Sequence, residues 1–454
     1  MKKILSVILA LALMPMAFPC SANAATLQES EQLWEASSNS PVMATSTTEY
    51  AYSIGHDFGM NIPFVNDHAG DCTISVTHAS TVYGMLGYTS YYNFDPTYEY
   101  LRGENPAGTD RLGSSIVYID GHANYDNIIC GDTVDDSDHQ CGAYYLTDFT
   151  STSSGYTYAG LQDRDLSGVK LFTFVGCNTA TNNVNLCTSA EDGGATCVVG
   201  FTDTINGLTT EGQNWKKAYN NALGNGKTVS AAIADATTRH PNCNLGDSAK
   251  TYGDASINIA LNNKSANLTT ESDMSIITTE KIIPFDFSSV VNGEYVPLEE
   301  VKTEYAGIIQ LMSKRDSKFD LSQYKVLANG YFGDDGIIKV RYYLDDIETS
   351  AVIVFTVVDG KIVSYSDSFD NSVKNENERK EILNARTTFD QKELRSANYV
   401  PEQISSKYNV ESDTGRYYYD FSDNTLYYIT DVVYSLPGSN ACGMTEVRTP
   451  IKVF

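Results

Sequence analysis

The amino-acid sequence predicts an α/β fold in which an open, mostly parallel sheet flanked by helices is followed by a smaller α+β C-terminal domain. Between about residues 71 and 262, short apolar runs typical of buried strands alternate with helical stretches, which favours a parallel sheet. Beyond residue 295, a helical stretch precedes β-rich runs separated by Asp-Gly turns, as in hairpins. At 454 residues, the chain is long enough for two or more domains.

The expected elements follow this order along the chain. In the first region we expect strands at Cys72–Val76, Ser114–Asp120, Lys170–Val175 and Thr196–Phe201, and helices at Ala79–Gly87, Gln213–Leu223 and Val229–Thr238. In the second we expect helices at Leu298–Lys314 and Asn375–Gln391, and strands at Tyr324–Phe332, Ile337–Leu344, Ala351–Val358, Lys361–Tyr365, Tyr417–Phe421 and Leu426–Tyr434. Candidate catalytic residues occur only in the first region.

The first 24 residues have the features of a secretory signal. Lys2 and Lys3 precede an apolar run that is too short for a membrane span, and Ala22-Asn23-Ala24 fits a cleavage site. The sequence therefore predicts a secreted or cell-surface protein without a membrane-spanning segment. The expected division of the chain is 1–24 signal, 25–50 linker or pro-segment, 51–265 α/β domain, 266–295 linker and 296–454 α+β accessory region.

The chain is acidic, with 57 Asp and Glu residues against 31 Lys and Arg residues and a formal net charge of −26. Such a charge argues against nucleic acid and anionic membrane surfaces as partners. A basic peptide or a cation would fit better, although acidity also serves simply to keep an exported protein soluble. The hydrophobic fraction of 42% excludes a wholly disordered chain.

Two predicted strands end in residues that can perform chemistry. SSIVYID runs into Gly121-His122-Ala123, and KLFTFV runs into Gly176-Cys177-Asn178. In an open parallel sheet, ligands bind beyond the carboxyl ends of the strands, so neighbouring strands would place His122 and Cys177 side by side. Glycine before each residue would allow a sharp exit from the strand. A thiol beside an imidazole is a candidate nucleophile with a proton-transfer partner.

Three segments carry a resemblance to a known family: IVYIDGHAN around His122, LFTFVGCNTA around Cys177, and CVVGFTDTI followed by WKKAYNNALGNGKTVSAAIADA. In their order and spacing they resemble the caspase-like cysteine peptidases, the grouping of clostripain, gingipains, caspases and separase. The resemblance covers about residues 50–262. It implies a caspase-like domain and an endopeptidase that requires no cofactor, in which Cys177 attacks the scissile carbonyl of a polypeptide and His122 protonates the leaving amine.

The resemblance also implies an oxyanion hole and a substrate pocket. The N–H groups of Cys177 and Ala123 would hold the oxyanion, although the family usually has glycine where Ala123 stands, which leaves an inactive relative as an alternative. The pocket would offer Asp203 or Asp71 as its base. A buried carboxylate selects a basic side chain, so we predict cleavage after Arg or Lys, with Asp203 favoured over Asp71. The competing interpretation is that both residues cap loops.

Cysteine usage bears on whether Cys177 is free. Without Cys20 of the signal, the remaining cysteines are Cys72, Cys130, Cys141, Cys177, Cys187, Cys197, Cys243 and Cys442. In an exported protein such a set predicts disulfides, and two pairs could each close a short loop: Cys130 with Cys141, and Cys187 with Cys197. A free Cys177 then leaves one of the last three cysteines unpaired. The sequence therefore keeps open a binding or structural protein in which Cys177 is locked in a disulfide.

A second alternative is a papain-like hydrolase that uses Cys72 with His122 or His240. Such enzymes place the cysteine at the start of a helix. The TISVTHAS stretch after Cys72 is rich in β-branched residues and favours a strand instead.

Metal binding is weakly indicated at two places. Asp132, Asp135, Asp136 and Asp138 could hold calcium, but their loop does not fit the EF-hand pattern, and a solvated acidic loop is the favoured interpretation. His56, His68 and His78 lie near Asp57, Asp67 and Asp71, but their irregular spacing favours surface histidines. We therefore predict no catalytic metal.

Overall fold

The structure, a computed structural model, describes residues 49–56, 72–94, 96, 101, 110–129, 143–147, 149–150, 157–158, 160–261, 277–287, 290, 294–315, 319–367, 376–389, 409–435 and 441–454. The predicted signal and most of the first linker lie outside these residues. All of the described residues belong to a single unit, Thr47–Phe454.

A six-stranded sheet organises the first half of the chain. Its strands are β1 Tyr50–Gly55, β2 Thr89–Phe94, β3 Ile116–Asp120, β8 Leu171–Val175, β9 Cys197–Phe201 and β10 Ala249–Gly253, in the order β10-β9-β8-β3-β1-β2. Every neighbouring pair is parallel except β10 with β9. The remaining short strands of this half are β4 Asn127–Ile129, β5 Ala143–Tyr145, β6 Phe149–Thr150 and β7 Thr157–Tyr158.

Helices cover both faces of this sheet. They are α1 Thr73–Met85, α2 Leu186–Asp192, α3 Thr210–Gly224, α4 Val229–Arg239 and the short α5 Leu245–Ser248. Along β3, Ile116 and Tyr118 belong to one apolar core with α1, α3 and α4, while Val117 and Ile119 belong to a second core with α2. Strands buried on both faces read as continuous apolar runs, which is why the sequence revealed them.

A larger, mostly antiparallel sheet forms the second half. Its strands are β11 Ile277–Pro284, β12 Val296–Pro297, β13 Tyr324–Phe332, β14 Asp335–Leu344, β15 Ile347–Val358, β16 Lys361–Asp367, β17 Asn409–Asp420, β18 Thr425–Ser435 and β19 Cys442–Val453. The main order is β12-β13-β14-β15-β17-β18-β19, with β16 on β15 and β11 on β16. Two helices accompany it, α6 Ala306–Arg315 and α7 Glu376–Thr388.

Buried polar contacts hold the two halves together. The fully buried Lys339 of β14 donates to the carbonyl of Cys243 (3.2 Å) and pairs with Asp247. The Asn329 side chain donates to the carbonyl of Gly246 (2.9 Å), and Thr251 donates to that of Tyr331 (2.7 Å). Because buried polar groups are costly unless hydrogen-bonded, these contacts fix how the second sheet lies against the first half.

The expected mixed α/β architecture with a mostly parallel sheet and a second sheet-rich region is confirmed. The predicted strand at Cys72–Val76 is wrong, because this stretch begins α1. Val76, Ala79, Val82 and Tyr83 fall on one side of the helix and are buried against the sheet, so tertiary packing outweighs the local preference of β-branched residues for strands. The helix expected from Leu298 begins only at Ala306. Strands β1, β2, β4–β7, β10–β12 and β19 were not predicted.

Candidate active site

The two candidate catalytic residues leave the sheet side by side. Strands β3 and β8 are parallel neighbours, and Asp120 at the end of β3 is in register with Val175 at the end of β8. The Gly121 N–H donates to the carbonyl of Val175 (3.0 Å), which joins the two exits. His122 and Cys177 follow directly, and both line the same cavity. The adjacency that the sequence predicted is therefore present at the carboxyl edge of the sheet.

The glycines before these residues are required for space. Neither is among the residues with positive φ, so the sharp exit expected from the sequence does not depend on left-handed backbone. A Cβ at Gly121 would overlap the carbonyl oxygen of Ile129, and one at Gly176 would overlap the Cβ of Ala123. Glycine at these two positions lets the ends of β3 and β8 and the chain after His122 approach one another closely.

The Cys177 thiol is buried, with only 2% of the residue exposed. The Ile205 N–H donates to its Sγ (3.4 Å), and the next residue, Asn178, has a φ of 60° and donates its N–H to the carbonyl of Asp203 (3.0 Å). The neighbouring Cys442 thiol, together with burial, raises the pKa of Cys177 well above its ordinary value. In this arrangement Cys177 is a protonated thiol, which is not the nucleophilic form.

The His122 ring is equally enclosed, with 2% of the residue exposed, and the Tyr434 ring packs edge-on against it at a centroid distance of 4.7 Å. The pKa of His122 is lowered to about 3, mainly by burial and also by the neighbouring His56, while a hydrogen bond with the backbone of Cys442 acts in the opposite direction. The imidazole is therefore neutral at physiological pH. A histidine that accepts the proton of a thiol must be neutral at that step.

The start of β19 lies across this site. Ala123 and Cys442 form an antiparallel β-bridge, in which the Ala123 N–H donates to the Cys442 carbonyl (3.1 Å) and the Cys442 N–H donates to the Ala123 carbonyl (3.0 Å). The N–H that was predicted to hold an oxyanion thus faces the cleft and already holds a carbonyl oxygen. An extended chain can lie beside His122 and Cys177 with its backbone paired to Ala123.

Cys442 also contacts the nucleophile through its side chain. Its thiol lies beside the Cys177 thiol and donates to the Ala123 carbonyl (3.5 Å), and its Sγ lies 3.5 Å from the Asn178 Nδ2. The neighbouring Cys177 thiol is the main reason that the pKa of Cys442 is lowered. The sequence does not assign a partner to Cys442. It lies 265 positions after Cys177, and no local pattern indicates a contact between residues so far apart.

Little space remains beside the two residues. The cavity that they line has a volume of about 20 Å³, room for about one water molecule. Its other walls include the apolar residues Val175, Ile205 and Leu208, and Gly443 and Met444 of β19. The side chain of a bound peptide does not fit in a space of this size.

A buried ion pair, which was not predicted from the sequence, lies at the end of β3, two residues before His122. The Lys216 ammonium of α3 is 2.5 Å from the Asp120 carboxylate, and their side chains are 0% and 4% exposed. Ser75 of α1 donates a hydrogen bond to the same carboxylate oxygen. The pair ties β3 to two helices immediately before the candidate catalytic histidine. WKKAYNNAL suggested a helix but gave no sign that its first lysine is buried.

The predicted substrate-pocket and disulfide residues have different positions. Asp203 is exposed and is not among the described residues that line the cavity; its carboxylate accepts from the Thr204 N–H (2.7 Å), as a loop-capping residue does. Cys187 and Cys197 are buried free thiols, so the expected bridge is not formed. The intervening turn is closed instead by backbone hydrogen bonds such as Ala195 N–H to Ala190 O (3.1 Å). Asp71, Cys130 and Cys141 lie outside the described residues.

The alternative nucleophile and metal ligands can be placed in part. Cys72 does precede a helix, contrary to the sequence-based expectation, but it is fully buried and is not among the described residues lining the cavity. His56 is buried and is not a surface histidine, whereas His78 is partly exposed and its ring is hydrogen-bonded to Asn221 (2.9 Å). The described part of the chain contains no cluster of three metal-ligating side chains. His68, Asp132, Asp135, Asp136 and Asp138 lie outside the described residues.

No protein-family model matches the chain, and no curated protein matches it. Within the described ranges, no helix is both long and apolar enough to cross a membrane. The function proposed below therefore depends on the fold and on the geometry of the site.

Acidification is expected to destabilise the folded protein through His122. Its pKa is about 3 in the folded protein and about 6.5 in an unfolded chain, so the unfolded state takes up a proton that the folded state excludes. Stability is therefore lost as the pH falls from about 6.5 towards 3, by on the order of 1–2 kcal/mol at pH 5. Denaturant unfolding of wild type and His122→Gln at pH 7 and pH 5 measures this. The variant should lose less stability, and equal losses would contradict the expectation.

Proposed function

We propose that the protein is an exported cysteine endopeptidase of the caspase-like kind, which hydrolyses peptide bonds through Cys177 and His122. The single observation that carries the proposal is the position of these residues at the ends of adjacent parallel strands, beside one cavity. The mostly parallel sheet with helices on both faces supports the resemblance to this family. Export rests on the signal-like first 24 residues.

In the proposed reaction, the Cys177 sulfur attacks the scissile carbonyl as the thiol proton passes to the neutral His122 imidazole, and a tetrahedral oxyanion forms. The Ala123 N–H is oriented to stabilise that oxygen, since it already donates to a carbonyl in the cleft. His122, once protonated, gives a proton to the leaving amine, and the C–N bond breaks. Water then releases the acyl group from the sulfur and restores the thiol.

A second candidate is a binding or structural protein in which Cys177 is permanently blocked. The contacts of Cys442 with both Cys177 and His122 favour this candidate, because they occupy the residues that catalysis needs. The two candidates differ in one property. A peptidase must expose Cys177 to substrate in some state, whereas a blocked site never does.

Hydrolysis of denatured protein and of fluorogenic peptides tests the proposal, with wild type compared to Gly443→Ala. An added methyl group at Gly443 would overlap the His122 ring, so this variant should force β19 away from the site. Hydrolysis by either form, lost on alkylation of Cys177, is the expected result. If Cys177 is alkylated in the variant but neither form cleaves any peptide, the blocked or binding protein is favoured and the peptidase proposal fails.

We expect cleavage after Arg or Lys in preference to Asp. The chain is strongly acidic, and Asp203 lies close enough to Cys177 for its charge to raise the pKa of the thiol, so a cationic side chain is attracted to this region. The apolar walls Val175, Ile205 and Leu208 make a large apolar residue the competing choice.

A peptide set that varies only the residue before the scissile bond, read at low and high salt, measures this preference. The advantage of Arg and Lys should shrink as salt screens the field. Equal or better cleavage after Asp, or after Leu, would contradict the prediction without affecting the proposed mechanism.

A further inference from the structure

We infer that residues Ala441–Met444, which comprise Ala441 and the first three residues of β19, are a built-in inhibitor of the Cys177 site, and that Cys442 is the residue that engages it. The inference rests on the proposed function for its biological meaning. Its structural content, that this segment closes the site in solution and can leave it, is independent of whether the site cleaves peptides.

The inhibitory segment occupies the site as a peptide would. Its backbone forms both hydrogen bonds of a β-bridge with Ala123, and the backbone of Cys442 is hydrogen-bonded to the His122 ring. The thiol of Cys442 lies beside that of Cys177, and this neighbour and burial together raise the pKa of Cys177. Cys442 thus contacts the Ala123 N–H, the His122 imidazole and the Cys177 thiol at the same time.

Two features show that the fit is close. Gly443 lies so near the His122 ring that even a Cβ would overlap it, and Ala441 is fully buried against Ile129. The cavity left beside Cys177 holds about one water molecule. The segment therefore fills the cleft, and a substrate can reach Cys177 only after it moves.

The segment is also anchored to the second sheet, to which β19 belongs. Strand β19 pairs with β18 from Cys442 to Val453, and the buried Glu446 carboxylate is bound by Arg416 (2.9 Å) and Arg448 (2.6 Å). These ionic contacts come two residues after Met444. An opening that detaches Ala441–Met444 can therefore leave the rest of the strand in place.

The rate at which iodoacetamide alkylates Cys177, followed by peptide mapping of the intact full-length protein, tests the inference. In wild type we expect slow labelling of Cys177. Gly443→Ala should accelerate it about tenfold or more, because overpacking the contact with His122 disfavours the closed form. Cys442→Ala, which removes the thiol contact but keeps the backbone bridge, should give an intermediate rate. Gly168→Ala is the matched control, since an added Cβ there meets nothing within 4 Å.

Unfolding is distinguished from opening by a second cysteine. Cys243 is fully buried and is not among the described residues lining the cavity, so it should stay unlabelled in every variant that remains folded. Faster labelling of Cys177 alone supports the inference, whether or not peptides are cleaved.

The inference is overturned if Cys177 of wild type reacts as fast as an exposed thiol, or if its rate is the same in wild type, Gly443→Ala and Cys442→Ala. Hydrolysis separates the two claims. Wild type that cleaves peptides at a rate unchanged by Gly443→Ala would leave the proposed peptidase standing and remove the inhibitor. Faster labelling of Cys177 in Gly443→Ala without any cleavage would support the inhibitor and remove the proposed peptidase.

Discussion

Cys177→Ala is expected to abolish peptide hydrolysis, by a factor on the order of 10⁴ or more, because the only sulfur that faces the scissile bond in the proposed reaction is lost. His122→Ala should cost at least about a hundredfold, the usual effect of removing a proton-transfer group. Both changes are best made in the Gly443→Ala protein, in which β19 should no longer hide the effect. Initial rates with a fluorogenic peptide measure them.

The matched control is Cys187→Ala, which also removes a fully buried thiol, but one that lies on α2 and packs against Gly200 of β9. It should keep its activity after allowance for any loss of folded protein. Full activity in Cys177→Ala would eliminate the proposed mechanism. Loss of activity in Cys187→Ala, with the fold intact by circular dichroism, would show that the assay reports stability and not the nucleophile.

The position of these residues could be predicted because its signals are local. Strands β3 and β8 are buried on both faces, so each is a continuous apolar run whose end is visible in the sequence. Parallel neighbours end at the same edge of a sheet, and this geometry brings His122 and Cys177 together without knowledge of any distant contact.

The closure of the site could not be predicted in this way. It depends on a contact between Cys177 and Cys442, and Cys442 belongs to β19, the edge strand of the second sheet. The helix after Cys72 was missed for a related reason, because its β-branched residues prefer strands locally and become helical through packing on the sheet. Cysteine counting likewise predicted a bridge at Cys187, although both thiols of that loop are free.

Lys216→Met is expected to lower the free energy of unfolding by about 3–5 kcal/mol, the largest stability effect that we foresee for a single substitution. Methionine has nearly the same length as lysine but leaves the Asp120 carboxylate buried without its counter-charge. Ser75 would remain as a donor, which is insufficient for a full negative charge away from water. Equilibrium unfolding in denaturant at pH 7 measures the change.

Two further variants separate the buried charge from the loss of a lysine side chain. Lys380→Met breaks an exposed pair with Glu376 on α7 and should change stability by about 0.5 kcal/mol or less. Lys216→Met combined with Asp120→Asn should recover part of the loss, because no unpaired charge is then left in the core. If Lys216→Met is as harmless as Lys380→Met, the ion pair does not support the strand end that presents His122. If the double variant recovers none of the lost stability, the cost lies in the packing of α3 and not in the unpaired Asp120 carboxylate.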